Sequence, residues 1–386
     1  MKKFFISAFS TLFVIVVFLS PLNAFSAAKP TTSALAAVLI SADTGEIIYS
    51  VNHDKKLPMA STTKIMTALL CIESGNLYDE FIVDSDAIKV EGSSMGLQDG
   101  DIVTKYALCC GMLLPSGNDS ANAAAVKIAG SIENFAEMMN ERAKEIGLTR
   151  TFFVTPSGLE GDGHGSSAYD MALLAREALK NDIFRQICSS QTIKLSFGNP
   201  PYDRWLGNTN KLLSMYDGVY GVKTGFTDEA GRCLVSACER DGKRLICVTL
   251  NDKNDWNDHI AMFEYGFEQV KSFNPDIPNE FEIDIVGSDC EKISLALNSE
   301  SIEITSCEYD LSKFSFNVIS PPFVYAPINC GDNVAELSIR YNDTEVYRLP
   351  LCAKKDYPIY IEKKSDTSKK NFFEKIIDKF GGLLHR

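Results

Sequence analysis

The stretch Met59–Leu70, MASTTKIMTALL, places a lysine three residues after a serine, where an apolar run begins. The N-terminus of a helix is the positive end of its dipole, so a lysine in the first turn costs a few tenths of a kcal/mol to about one. A capping box would read Ser-x-x-Glu, whereas Ser61-Thr62-Thr63-Lys64 carries the opposite charge at its fourth position. From Ile65 to Glu73 the helical pattern is apolar nearly all round and stops at Gly75, which marks a core helix. The lysine that opens it is therefore expected among buried groups. Residues three apart on a helix share a face, and a neutral lysine amine can take the proton that a serine hydroxyl must lose to become a nucleophile. Its ordinary pKa of about 10.4 has to fall for this, which burial and a second cation both achieve.

Ser-x-x-Lys alone is a weak signal, and Ser26–Lys29 matches it as well. Two further stretches give it weight. Pro115-Ser116-Gly117-Asn118-Asp119 lies between helical patterns at Lys105–Leu113 and Ser120–Ala129. As structure it is a turn with Asp119 available as an N-cap. As chemistry, Ser116 and Asn118 offer a hydroxyl to relay a proton and a carboxamide to hold an amide. In Val219–Phe226, VYGVKTGF, a strand ends in Lys-Thr-Gly. Lys223 and the Thr224 hydroxyl can bind a carboxylate, and Gly225 removes the side chain that would block a substrate lying along the strand.

The chain has 386 residues, 45% of them hydrophobic, enough for two domains. Lys2 and Lys3, the apolar run Phe4–Leu19, and Pro21 followed by small residues to Ala28 form a secretory signal, expected over residues 1–28. Leu35–Tyr49 reads as two strands around the turn at Ala42–Gly45, and further helical patterns run over Ile132–Ile146 and Tyr169–Asn181. Strands return at Val219–Thr224, Cys233–Glu239 and Arg244–Asn251. Strands, then helices, then antiparallel strands predict an α/β (α+β) domain over 29–272, one antiparallel sheet with helices packed on it. The prolines of Phe273–Pro278 mark a boundary, and short strands separated by Gly and Asn-Asp turns predict a small all-β domain over 273–361.

Net charge is −13, yet the tail from Lys363 to Arg386 holds seven Lys or Arg against three acids. The acidic body has no electrostatic case for nucleic acid. The tail, with Phe372, Phe373, Ile376, Ile377, Phe380, Leu383 and Leu384 on one helical arc, reads as a basic amphipathic anchor over 362–386 for an anionic membrane surface. Eleven cysteines are an odd number; Cys71, Cys109, Cys110, Cys233 and Cys247 lie in apolar segments and are expected as buried thiols. No C-x-x-C pair or histidine cluster suggests a metal, and no cofactor is expected.

Ser-x-x-Lys, Ser-x-Asn and Lys-Thr-Gly in this order are the signature of serine β-lactamases and penicillin-binding proteins, with Ser-Gly-Asn here in place of Ser-Asp-Asn. Together with EGSSMGLQDGD, FVTPSGLEGDGHGSSAYDMALLAR and GVKTGFTDEAGRCLVSA, they make the chain resemble the low-molecular-mass penicillin-binding proteins that act as serine D-alanyl-D-alanine carboxypeptidases. The resemblance covers about Leu35–Gln269. It implies that Ser61 is acylated, that Lys64 accepts its proton and that Ser116 relays a proton to the leaving D-alanine. It further implies that Asn118 holds the substrate amide, that Lys223 and Thr224 face the terminal carboxylate, with Gly225 beside them, and that the N–H groups of Ser61 and Phe226 form the oxyanion hole. Substrates would be peptidoglycan stem peptides ending in D-Ala-D-Ala, β-lactams would inhibit, and the enzyme would work outside the cytoplasmic membrane. Thr62 and Thr209 depart from the family, the latter where some relatives have an arginine near the substrate carboxylate. A class A β-lactamase would need a Glu-x-x-Leu-Asn segment that is missing here. A D,D-endopeptidase would use the same chemistry on cross-links, and a non-catalytic peptidoglycan-binding scaffold would be expected to lose Ser61, Lys64 or Lys223.

Overall fold

The computed structural model describes residues 29–297, 302–307 and 310–361; the expected signal and basic tail lie outside them. The chain divides into two units, the first of residues up to Phe273 with Glu303–Tyr309, the second of Asn274–Ile302 and the chain from Asp310 onward.

The first unit is built on a five-stranded antiparallel sheet in the order Ile47–Val51, Ala36–Ser41, Lys243–Leu250, Gly231–Arg240, Val219–Thr227. The N-terminal strand pairs with a partner two hundred residues on, Val38 opposite Val248. Its alternate residues enter different cores. Val38 and Ile40 pack with Ile65, Met66, Leu69, Met171 and Leu174 of the helices Lys64–Glu73 and Ala168–Ala178. Ala37 and Leu39 pack with Met262, Phe263 and Phe267 of the helix Asp255–Gln269. A sheet covered on both faces needs continuously apolar strands rather than alternating ones, and Ala36–Ile40 and Leu245–Leu250 are buried throughout.

Sequence reading misses several elements. The helix Asp255–Gln269 covers the second face of the sheet, and a hairpin pairs Thr192–Gly198 with Pro201–Gly207. The helical pattern expected over Tyr169–Asn181 ends at Ala178, and Asn181 starts a new helix, Asp182–Ser189, by accepting from the N–H groups of Ile183 and Phe184. The domain boundary is not one cut either. Ile304–Ser306 pairs antiparallel with Lys271–Phe273, and the Thr305 N–H donates to Asp43 Oδ2 at 2.8 Å while Ser41 Oγ donates to its carbonyl at 2.6 Å.

The second unit carries a six-stranded sheet in the order Phe314–Ile319, Asn333–Tyr341, Thr344–Ala353, Lys292–Leu297, Phe281–Val286, Val324–Tyr325. Phe281, Ile283 and Ile285 alternate inward with exposed Glu282, Asp284 and Val286, the pattern of a sheet with one buried face. Among the described residues no helix is long and apolar enough to cross a membrane.

Candidate active site

Ser61 does not lie on the α-helix. It sits in a 3-10 turn, Ala60–Thr63, and the α-helix proper begins at Lys64. The hydroxyls of Thr62 and Thr63 donate back to the carbonyls of Met59 and Ala60 at 2.6 and 2.8 Å, the local bonding by which threonine favours a tight turn at a helix start. A 3-10 turn eclipses residues three apart, so Lys64 Nζ comes to 2.9 Å from Ser61 Oγ.

Lys64 is fully buried. Its Nζ donates to Asn118 Oδ1 at 2.7 Å and to the Ser157 carbonyl at 2.6 Å. A neutral amine has two N–H groups and one lone pair, and these two acceptors occupy both N–H groups. In that neutral form the lone pair would face the Ser61 hydroxyl. Burial, and then the charge of Lys223, hold the Lys64 pKa well below that of an ordinary lysine, against a smaller opposing pull from Asp119.

The Ser-Gly-Asn stretch is a strained turn leading into the helix Asn118–Ala129. Ser116 has φ +67°, and a Cβ on Gly117 would come within 2.9 Å of Met95 N and nearer still to the Asp119 and Ser120 side chains. Asn118 Nδ2 donates to the Glu91 carbonyl at 2.7 Å. With Oδ1 on Lys64, one N–H of the amide remains for a substrate. The N-cap position expected of Asp119 is taken by Gly117. The buried Asp119 carboxylate accepts instead from the N–H groups of Met95, Gly96 and Leu97 at 2.9, 3.0 and 3.0 Å, and from Ser94 Oγ at 2.5 Å. It thereby ties the loop Ser93–Leu97 to the Ser-Gly-Asn turn.

Val219–Thr227 is the edge strand of the sheet. Lys223 is buried and donates to the Thr224 carbonyl at 2.8 Å; burial brings its pKa down to about 7. The Thr224 hydroxyl lies 2.7 Å from that of Thr209, so a threonine pair stands beside the Lys-Thr-Gly strand end. A Cβ at Gly225 would meet Met59 O at 3.0 Å and Ser61 N at 3.1 Å, which is why only glycine lets this strand pass so close to Ser61. Phe226 turns its side chain to solvent, 63% exposed.

The structure thus brings Ser61, Lys64 and Asn118 into direct contact, with Gly225 packed on the turn that carries Ser61. Sequence reading misses Ser157, whose carbonyl accepts from Lys64 Nζ, together with Asp119 as a loop anchor and His164, which lies 3.0 Å from the Thr63 hydroxyl. Ser157 and His164 fall in one quoted stretch, FVTPSGLEGDGHGSS, but a carbonyl ligand leaves no mark in side-chain pattern. Among the described residues no group of three or more His, Cys, Asp or Glu is placed to hold a metal.

A serine beside a buried lysine, next to an edge strand bearing Lys-Thr-Gly, defines an active-site-serine peptidase of the penicillin-binding class, in which acyl transfer proceeds without histidine as base. The chain belongs to the D-alanyl-D-alanine carboxypeptidase family, whose model matches residues 23–254. It is 33% identical over 333 residues to the D-alanyl-D-alanine carboxypeptidase DacF of Bacillus subtilis, covering 84% of this chain and 85% of that protein. With DacC of Escherichia coli it shares 32% identity over 357 residues, 87% of this chain and 88% of the relative. Among solved structures, the DacD carboxypeptidase of Francisella tularensis aligns with a TM-score of 0.62 at 26% identity, over 89% of this chain and 98% of that one. The Streptomyces K15 DD-transpeptidase aligns at 0.60 and 31% identity, over 62% of this chain and 99% of its own.

Proposed function

We propose that the protein is a serine D-alanyl-D-alanine carboxypeptidase that removes the terminal D-alanine from peptidoglycan stem peptides through an acyl-enzyme on Ser61, and that β-lactams are its covalent inhibitors. The observation that carries this is the position of Lys64 Nζ, 2.9 Å from Ser61 Oγ, 2.7 Å from Asn118 Oδ1 and 2.6 Å from the Ser157 carbonyl; as a neutral amine it would donate to the last two and turn its lone pair to the serine hydroxyl. In the first half-reaction Ser61 Oγ adds to the penultimate D-alanine carbonyl as its proton passes to Lys64. The N–H groups of Ser61 and Phe226 receive the oxyanion. Ser116 relays the proton to the departing amine, and the ester forms as the C–N bond breaks. Water then gives a proton to Lys64 as its oxygen adds to the ester carbonyl, and the carbonyl C–Oγ bond breaks as Ser61 Oγ takes that proton back, releasing the shortened peptide.

The edge strand leaves one side of Val219–Thr227 open to an extended peptide, a mode in which backbone bonds give affinity and end groups give specificity. Lys223 and Thr224 would take the free carboxylate. That requirement favours carboxypeptidase over endopeptidase action, because a cross-linked peptide presents the carboxylate of a different residue. Asn118 would hold the substrate amide with its remaining N–H.

Export by residues 1–28, a catalytic domain over 29–272, a β-rich domain over 273–361 and peripheral membrane attachment through 362–386 complete this reading, supported by the sequence patterns of the two chain ends. Purified protein given a pentapeptide ending in D-Ala-D-Ala and, separately, a cross-linked dimer should release D-alanine from the first much faster. Ser61→Ala should lose penicillin labelling while keeping its fold. Preferred cleavage of the dimer would favour the endopeptidase reading, and undiminished labelling of Ser61→Ala would remove Ser61 as nucleophile.

A further inference from the structure

The peptide that joins Ala60 to Ser61 is held by a chain of bonds with one possible direction. The Val154 N–H donates to His164 Nδ1 at 3.0 Å. A backbone N–H can only donate, so Nδ1 is an acceptor and the proton of the neutral imidazole sits on Nε2. Nε2 lies 3.0 Å from Thr63 Oγ1 and donates to it, and the Thr63 hydroxyl in turn donates to the Ala60 carbonyl at 2.8 Å. Burial, and then the charge of Lys56, push the His164 pKa down to about 4, so the ring is neutral at physiological pH.

The Ala60 carbonyl and the Ser61 N–H belong to one planar trans peptide and point in opposite directions. Fixing the carbonyl fixes the N–H. The turn needs this support, because Ala60 has φ +47°, a left-handed conformation that costs a non-glycine residue about 1–2 kcal/mol. Gly158 closes the other side, since a Cβ there would lie 2.0 Å from Ala60 O. Its neighbour Ser157 supplies the carbonyl that holds Lys64, so the segment braced by His164 touches both the base and the peptide of the nucleophile.

We propose that His164 is a positioning residue for the oxyanion hole: acting through Thr63, it sets the plane of the Ala60–Ser61 peptide and aims the Ser61 N–H at the developing oxyanion. This rests on the reading of Ser61 as the acylated nucleophile. The imidazole touches neither substrate nor the reacting atoms, and it transfers no proton during turnover.

Two substitutions separate aiming from general support. In His164→Asn the carboxamide oxygen falls near the place of Nδ1 and keeps the bond to Val154, with no donor left for Thr63. In His164→Gln the amide nitrogen reaches the place of Nε2 and restores that donor. Complete loss of an oxyanion donor slows catalysis by about 10²–10³, so a misaimed one should slow penicillin acylation and deacylation alike by about tenfold or more. His164→Asn and Thr63→Val should both show this, with Thr63→Ser and His164→Gln near wild type. The infrared carbonyl stretch of the acyl-enzyme ester should move to higher frequency in the two slow variants, because a less polarised carbonyl is stiffer. Equal losses in His164→Asn and His164→Gln, or an unshifted ester band in His164→Asn, would overturn the proposal. Should the histidine variants not fold, Thr63→Val acylating at the wild-type rate would overturn it, as would nitrogen-15 spectra of the wild-type protein showing His164 protonated on Nδ1. A wild-type protein that forms no acyl-enzyme would instead refute the reading of the site, and this proposal with it.

Discussion

Lys64 Nζ and Asn118 Oδ1 stand 2.7 Å apart although fifty-four residues separate them in the chain. The Asn118 amide cannot turn over without losing its bond to the Glu91 carbonyl, so it always presents oxygen to the amine. That orientation stabilises a proton donor at Lys64 without adding a charge. The neutrality matters for the proposed base, because an amine accepts a proton only in its neutral form.

Asn118→Asp tests this. A carboxylate at 2.7 Å would favour the ammonium and raise the Lys64 pKa, so acylation by penicillin at pH 7 should fall by about 10²-fold or more and recover as pH rises. Stopped-flow acylation measured across pH should place the acid limb of the variant above that of the wild type. Coincident acid limbs would mean that Asn118 does not govern the protonation of the base.

Lys223 should set a second limb in the opposite direction. With its pKa brought down to about 7 by burial, the ammonium proposed to meet a substrate carboxylate is lost as pH rises through that value in the free enzyme. For peptides ending in a free carboxylate, kcat/KM should therefore decline above about pH 7. The same peptide with an amidated C-terminus should show no such decline. Identical basic limbs for the two peptides would remove Lys223 from carboxylate recognition.

The contact of Ser61 with Lys64 and the strand bearing Lys-Thr-Gly were legible because both rest on side-chain type at fixed spacing. Lys64 stood out by breaking a local rule of helix starts. The Ser157 carbonyl was invisible, since any residue supplies a carbonyl and only the path of the chain brings it to the amine. Asp119 was read as a local N-cap, but its bonds run to residues more than twenty positions back, and tertiary contact overrode the local preference. The helix Asp255–Gln269 was overlooked because its first turn is polar, Asp-Trp-Asn-Asp, and its apolar face matters only against the second side of a sheet that the sequence does not display.

Asp119→Ala should be among the more damaging substitutions outside the reacting groups. It strips the acceptor from the backbone N–H groups of Met95, Gly96, Leu97 and Ser120 and from the Ser94 hydroxyl, and buried donors left unpaired cost about 1–3 kcal/mol each before water re-enters. A loss of roughly 2–4 kcal/mol in denaturant unfolding is expected, together with slower acylation as the Ser116–Asn118 turn loosens. Wild-type stability with intact acylation would show that the loop Ser93–Leu97 holds its shape without the carboxylate.

The buried lysines also set a cost in stability that can be read against pH. Lys223 has a pKa of about 7 in the folded protein against 10.5 for the ordinary side chain. Between these values the unfolded chain binds a proton that the folded chain has released, so the stability contributed by this group rises as pH climbs from about 7 to 10.5. Below pH 7 both states are protonated and the penalty is full and constant. Lys223→Met fills the same space without an amine and removes the penalty, while leaving the Thr224 carbonyl without its donor. At pH 7 the variant should be more stable than the wild type by on the order of 3 kcal/mol, at 1.36 kcal/mol per pKa unit less a lost hydrogen bond. The gap should narrow steadily toward pH 10.5. Thermal unfolding of both proteins at several pH values measures it, and a variant less stable than wild type at pH 7, or a gap that does not change with pH, would show that Lys223 is not held neutral by burial.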